Sequence, residues 1–389
     1  MGPLGAHDAG LLPDPARLLT LRIGIDAREL QGGRPTGTGR YLRNLLRRWR
    51  EREDLELLVY FNGAAPTDLV LEHPRVTRRA LGGGASRGLA WQELRLPRAM
   101  KRDRLDVFFA PAYSCPLRLR VPRVTSIHDL SFFSWPDDMS PYEGLRRRLL
   151  VAASARVSAR LVVDCDFGRR ELLARFPDVA GRVAAVPLGP DDDLPAPASR
   201  EAARRQLGTD GLRVLTVGSI FNRRRLPVLL DAIGRLRRSG VPALLDVVGD
   251  NRTAPRLDLP RAVRQAGLSA AVSLLGFVSD DELVMRYAAA DAFVFLSEYE
   301  GFGLPVLEAM VRGLPVVTST RPSLGELFAG AALLVDPSDA VAVAAALRRL
   351  LTDPREREAL VARGRERARQ FSWAQTAERT LAVLREAAA

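Results

Sequence analysis

Two glutamates, Glu300 and Glu308, stand eight residues apart with Gly301-Phe302-Gly303-Leu304-Pro305 between them. Carboxylates accept hydrogen bonds from hydroxyl groups, and glycines let a ligand come close to the backbone. The apolar run 292–296 leads into them through Ser297-Glu298-Tyr299, and Pro305 suits the first position of a helix. The pattern predicts a strand, a glycine turn and a helix, with Glu300 at the strand's C-terminal end and Glu308 in the first helical turn. A helix N-terminus presents unpaired N–H groups and a partial positive charge, which suits phosphate. Two isolated glutamates would say little; the turn between them favours a ligand site over a capped helix start.

Three further stretches carry chemistry. Val217-Gly218-Ser219-Ile220-Phe221-Asn222-Arg223-Arg224-Arg225 follows a predicted strand. Gly218 and Ser219 can offer backbone N–H groups at close range, and Arg223 and Arg224 can neutralise a diphosphate; a plain basic loop is the alternative. Ser126-Ile127-His128-Asp129-Leu130 also ends a strand. A lone histidine is more often structural, but a strand end facing a cleft makes His128 a functional candidate. Pro35-Thr36-Gly37-Thr38-Gly39-Arg40-Tyr41 imitates a dinucleotide-binding turn and fails it. Leu42 stands where the third glycine belongs, and the second strand ends Tyr60-Phe61-Asn62 with no acid for a ribose. Gly37, Thr38 and Gly39 are expected in a flexible loop that touches acceptor or donor phosphate. Asp191-Asp192-Asp193 suits a solvated turn better than a metal motif, so no metal site is expected.

The elements that must position these residues alternate between short apolar runs and longer amphipathic stretches, the signature of α/β units around parallel sheets. Strands are predicted at 21–26, 55–61, 106–110, 124–128, 161–164 and 183–187. Helices are predicted at 40–49, after a turn at 32–39, and at 142–159. The Pro- and Asp-rich stretch 187–195 marks a linker. Beyond it, strands are predicted at 213–217, 244–248, 272–275, 292–296 and 315–318. Helices are predicted at 226–239, 259–266, 280–289 and 305–312, and a helical tail from 340 with a break near Phe371-Ser372-Trp373. Two such halves predict two Rossmann-like domains facing across a cleft, with ligands at the C-terminal strand ends.

Composition bounds the function. The 389 residues are enough for two cores, with 47% hydrophobic and 27% charged. No apolar run reaches the roughly 18 residues of a membrane span. Residues 1–20 carry three prolines and no basic cluster before an apolar core, and are expected to be a flexible tail, not a signal peptide. Cys115 and Cys165 are the only cysteines, which suits a reducing cytoplasm. The net charge is 58 minus 46, or +12. Lys101 is the one lysine, and the arginines are spread along the chain without interleaved aromatics, so no nucleic-acid stripe is expected. The helix 145–160 carries Arg146, Arg147, Arg148, Arg156 and Arg160, and could lie on anionic lipid at the inner face of the membrane, although an ordinary surface helix is the plainer alternative.

Taken together, these motifs resemble the retaining glycosyltransferases of family 4, which have the GT-B fold. Residues 300–308 match that family's Glu-x7-Glu signature. Gly276-Phe277-Val278-Ser279-Asp280 looks like its base-binding loop, and Ala290-Asp291-Ala292-Phe293-Val294-Phe295-Leu296-Ser297 leads into the signature as it does there. Gly24-Ile25-Asp26-Ala27-Arg28, Gly37–Tyr41 and Ile127-His128-Asp129-Leu130 resemble a mannosyltransferase-like branch that builds bacterial surface polysaccharides. The resemblance implies an N-terminal acceptor-side domain (21–192, plus a returning helix 373–389) and a C-terminal nucleotide-sugar domain (193–372). It implies that Glu300 contacts the donor sugar and that Glu308 holds the ribose. Gly301, Phe302, Gly303 and Leu304 would present amides to sugar and phosphates, with Gly218, Ser219, Phe277 and Val278 also on the donor. Arg223 and Arg224 would grip the diphosphate, and His128 would lie near the reacting carbon. Arg224 stands where a lysine is usual, Phe221 where a glutamate is common, and Cys165 where a serine is common.

The expected reaction is transfer of a hexose, mannose by first choice from GDP-mannose with UDP-hexoses next, to a glycan or lipid-linked hydroxyl acceptor. Configuration would be retained, with no metal or other cofactor. A glycosidase needs carboxylates flanking a scissile bond, which a strand end and a helix start suit poorly. A nucleotide-sugar epimerase would use the same fold, and a nucleic-acid-binding protein would use the basic charge.

Overall fold

Strand β1 (Leu21–Asp26) is apolar and ends on a carboxylate. It belongs to a seven-stranded sheet with β2 (Leu55–Phe61), β3 (Val76–Ala80), β4 (Val107–Ala110), β5 (Arg123–Ser126), β6 (Arg160–Val163) and β7 (Val183–Ala185). The order is β3-β2-β1-β4-β5-β6-β7. The pairings of β1 with β2 and β4, of β2 with β3 and of β6 with β7 are parallel. Strands covered on both faces read as unbroken apolar runs, and Leu57 to Phe61 are wholly buried. The chain is described here from a computed structural model, over residues 20–31, 36–82, 88–191 and 199–389.

The second sheet contains β8 (Arg213–Val217), β9 (Leu244–Val248), β10 (Val272–Gly276), β11 (Ala292–Phe295), β12 (Val316–Ser319) and β13 (Leu333–Val335). All of its pairings are parallel, in the order β10-β9-β8-β11-β12-β13. Counted within the sheet this is 3-2-1-4-5-6, the doubly wound order, whose direction reverses between β8 and β11. The loops leaving those two strands therefore diverge and open a crevice, and they are the loops that hold Arg223–Arg225 and Glu298–Gly303. Helices Leu226–Arg238 and Ala340–Thr352 cover one face through Leu229, Leu230, Ile233, Val343, Leu347 and Leu350.

Within this sheet, Asp246 of β9 is fully buried between Arg213 of β8 and Arg286, at 2.5 and 3.4 Å. Asp291 takes Arg200, Arg204 and the Arg213 N–H. Part of the arginine excess is thus neutralised internally, where removing one partner of a buried pair is strongly destabilising.

Several expectations need correction. The helix expected from Arg40 starts at Gly37 and runs to Trp49, because Thr36 Oγ1 accepts the Gly39 N–H and caps it. Gly37, Thr38 and Gly39 thus form its first turn; residues 32–35 of the expected loop lie outside the described residues. Leu42 is wholly buried, a packing reason for the missing third glycine. Strand β3 went unseen because Thr77, Arg78, Arg79 and Ala80 carry no buried apolar run. The helices Leu96–Asp103, Asp166–Arg175, Arg200–Leu207 and Leu324–Phe328 and strand β13 also went unread. The tail breaks a second time at Asp353, whose carboxylate caps helix Pro354–Ala368. The N-terminal tail (1–19) and residues 192–195 of the expected linker, with Asp192 and Asp193, lie outside the described residues.

Contacts divide the chain into two units. One holds the residues up to Pro111, Cys115–Val124 and Leu384–Ala389; the other holds Ala112–Ser114 and Thr125–Val383. Gly37, Thr38 and Gly39 belong to the first unit. Every other candidate residue belongs to the second.

Candidate active site

The loop after β11 carries Glu300 at its end. Glu300 Oε1 accepts the Ser297 hydroxyl at 2.9 Å and Arg224 Nε at 3.1 Å, which holds the carboxylate against the loop after β8. The Arg224 guanidinium lies over the Phe295 ring, 4.7 Å from its centroid. Its Nη1 is buried and has no hydrogen-bond partner among the described residues. Gly218 has φ 123°, which favours glycine, and a side chain there would displace the Arg224 Nη1. A buried cationic donor without an acceptor, at the switch point of a doubly wound sheet, is suited to an anionic ligand.

Arg223 is buried too, and its Nη1 pairs with Asp138. Burial opposes its charge, but Glu300, Asp129 and Asp138 together raise its pKa above the ordinary arginine value. Arg225 pairs with Glu298, which also takes Arg321 at 2.6 Å. Each of the three consecutive arginines therefore faces a carboxylate.

His128 follows β5. Its Nδ1 lies 3.0 and 3.1 Å from the two Asp164 oxygens, and Asp164 follows β6. Burial pushes the Asp164 carboxyl above its usual range, and the histidine offsets that only in part. The Tyr113 ring meets the imidazole edge-on, and its hydroxyl donates to Asp129 Oδ2 at 3.0 Å. The His128 carbonyl abuts Gly301 so closely that a Cβ on Gly301 would overlap it. Cys165 Sγ donates to the Gly301 carbonyl at 3.0 Å. Burial pushes that thiol up to about 11, so it keeps the proton it donates. The structure thus brings together Glu300, Gly301, Arg223, Arg224, Gly218 and His128.

Other candidates are placed differently. Helix Leu304–Val311 begins one residue earlier than expected because Gly303, at φ 102°, closes the turn. Pro305 is therefore its second residue and Glu308 opens the second turn. Glu308 is 5% exposed, and its Oε2 accepts the Tyr287 hydroxyl at 3.1 Å. Phe302 is buried edge-on against Phe371, so the loop can offer a ligand its backbone but not this ring. Ser219, Val278 and Leu304 are half-buried, and Phe277 is half-exposed. A cavity of about 500 Å³ lies at the ends of β9 and β10, lined by Ile220, Gly249, Asn251, Arg256, Leu274 and Gly276. Asp138 and Asp164 were missed as site residues, while Ser297 and Tyr299 lie in the stretch that leads into Glu300 but had no role of their own. Asp164 alone had a readable signal, a carboxylate at the end of an apolar strand, as with Glu300.

The two sheets and these loops define a GT-B protein. Sucrose-phosphate synthase from Thermosynechococcus elongatus has a similar fold, with a TM-score of 0.77 at 22% identity, over 94% of this chain and 98% of that one. Residues 199–367 match the family model described as glycosyl transferases group 1, and residues 35–194 match that of glycosyltransferase family 4. O-antigen chain mannosyltransferase B of Escherichia coli is 31% identical over 367 residues, 89% of this chain and 95% of that protein. A D-inositol 3-phosphate glycosyltransferase of Kineococcus radiotolerans is 36% identical over 248 residues, 59% of this chain and 57% of the relative. The chain belongs to the family 4 (group 1) glycosyltransferases.

Proposed function

We propose that the chain transfers a hexose, with retention of configuration, from a nucleotide diphosphate-sugar to a hydroxyl of a glycan or lipid-linked saccharide. The observation that carries this reading is the pairing of Glu300 with Arg224, beside Arg223, at the crevice between β8 and β11. The bond from the anomeric carbon to the diphosphate breaks, and a bond to the acceptor oxygen forms on the same face. The acceptor's proton leaves with the diphosphate. Charge develops on the departing phosphate, where Arg223, Arg224 and the N-terminus of helix Leu304–Val311 would stabilise it without a metal. Glu300 would hold the donor sugar, Gly301 to Leu304 would present backbone to it, and Glu308 would take the ribose. The base would enter the cavity beside Gly276, next to Phe277 and Val278, with Gly218 and Ser219 against the phosphates. His128, with Nδ1 on Asp164, would turn Nε2 to the donor. Mannose is the first choice of sugar, supported by the name of the Escherichia coli relative, O-antigen chain mannosyltransferase B, and GDP-mannose is the proposed donor.

The test is transfer of labelled sugar from GDP-mannose and UDP-hexoses to saccharide acceptors, with the product's anomeric configuration read by proton NMR. A product with the donor's configuration is expected. Inversion, or a changed sugar formed without acceptor, would overturn it.

A lipid-linked acceptor also gives a role to helix Pro141–Val157. No helix among the described residues is long and apolar enough to cross a membrane. This helix instead leaves Tyr142, Leu145 and Leu149 exposed at 78%, 56% and 62%, while its packed side uses Gly144, Val151, Ser154 and Ala155. Arg146 accompanies the exposed side chains, with Arg147 and Arg156 nearby against Glu143 and Asp178, a combination of apolar and basic groups that would suit an anionic bilayer surface. The double variant Leu145→Glu, Leu149→Glu is expected to lose co-sedimentation with phosphatidylglycerol vesicles. Equal sedimentation of variant and parent would remove the membrane from the account.

A further inference from the structure

We propose that Tyr299 is a positioning residue that sets Glu300 in register with His128. This rests on the reading above, in which both residues act on the donor sugar. Tyr299 directly precedes Glu300 and is buried. Its hydroxyl accepts the Leu130 N–H at 2.8 Å and donates to Glu171 Oε2. Its ring meets Phe167 edge-on at 5.9 Å. Its carbonyl accepts Ser297 Oγ at 3.0 Å and Arg223 Nε at 3.3 Å. Both ends of the residue are therefore held, one by the loop that carries His128 and the other by the arginine loop.

The need for such a tie follows from the loop's composition. Gly301 and Gly303 give the backbone around Glu300 more freedom than any other residue would. On the far side of Glu300, the Gly301 carbonyl is held by Cys165 Sγ, and its Cα rests on the His128 carbonyl. Tyr299 supplies the matching hold on the near side. It bonds to Leu130, two residues after His128, within a loop that is itself stiffened. There, Asp129 Oδ1 accepts both the N–H and the hydroxyl of Ser131, and Oδ2 accepts Tyr113. A phenol is suited to this task, because a buried hydroxyl needs its partners and the rigid ring transmits their position.

Tyr299→Phe keeps the ring and removes only the tie. The expected result is a kcat lower by about 10- to 100-fold, the scale on which small misplacements act, with the Kd for nucleoside diphosphate changed by less than about twofold. A purely structural tyrosine would instead lower the melting temperature and leave kcat per binding-competent molecule unchanged, and that result would overturn the proposal. Glu300→Ala in the same assay separates the two levels. If Glu300→Ala retains transfer, the functional reading of the site fails; if it loses transfer while Tyr299→Phe keeps it, only the role of Tyr299 fails. Should Tyr299→Phe not fold, Glu171→Ala releases the same hydroxyl from one partner. It is expected to show the same split between kcat and Kd, and an unchanged kcat there would equally overturn the proposal.

Discussion

Glu300→Ala is expected to lower kcat/KM for the nucleotide-sugar by about 100- to 1,000-fold, the usual loss when one preorganised polar group leaves a reacting centre. Nucleoside diphosphate binding should change far less, because in the proposed reading the arginines and backbone, not Glu300, hold the diphosphate. The fold should survive as well. Glu300 is half-buried and at the crevice, and its two partners, Ser297 and Arg224, both retain other contacts: Ser297 with the Tyr299 carbonyl, Arg224 with the Phe295 ring. Glu300→Gln keeps the shape but not the charge, and is expected to fall between the parent and the alanine variant. Steady-state kinetics with a verified donor, beside thermal unfolding of each variant, would check this. Full activity in Glu300→Ala would refute the site.

Arg224→Ala has the second large effect, and it acts on binding. The variant removes the guanidinium whose Nη1 has no acceptor among the described residues and whose Nε holds Glu300. The Kd for nucleoside diphosphate is expected to rise by roughly 10- to 100-fold, as suits a charge-assisted hydrogen bond of ~1.5–3 kcal/mol. Turnover should fall with it, because Glu300 loses one of its two holds. Arg224→Lys should recover part of the affinity, since a point charge reaches phosphate but cannot form the paired bonds of a guanidinium. Arg223 is a less clean target. Its loss would strand Asp138 as a buried unpaired carboxylate, at a cost of ~3–5 kcal/mol in stability, so binding and folding would fall together.

How much of this was readable from sequence differs by kind of information. Strands β8, β9 and β11 are apolar runs ended by glycine or serine, and their periodicity places them within a residue or so. The order of strands follows from handed, parallel α/β connections, so the switch point was implied once the elements were known. Partner choice was not readable. Asp138 and Arg223 are 85 residues apart in sequence, and Tyr299 and Leu130 are 169 apart. No local pattern says that these loops meet. Glu308 fits its motif by spacing alone; its burial beside Tyr287 depends on where Gly303 closes the turn. Edge strand β3, with Arg78 and Arg79 outward, lacks the apolar signal that marks a covered strand.

The central claim is that the crevice between β8 and β11 holds a sugar diphosphate through Arg224. Isothermal titration of the purified chain with GDP, UDP and dTDP tests it most directly, with Arg224→Ala as the comparison. The account predicts saturable one-to-one binding of at least one of them, weakened by about an order of magnitude or more in the variant. Binding of none of the three, or equal binding by Arg224→Ala, would contradict it.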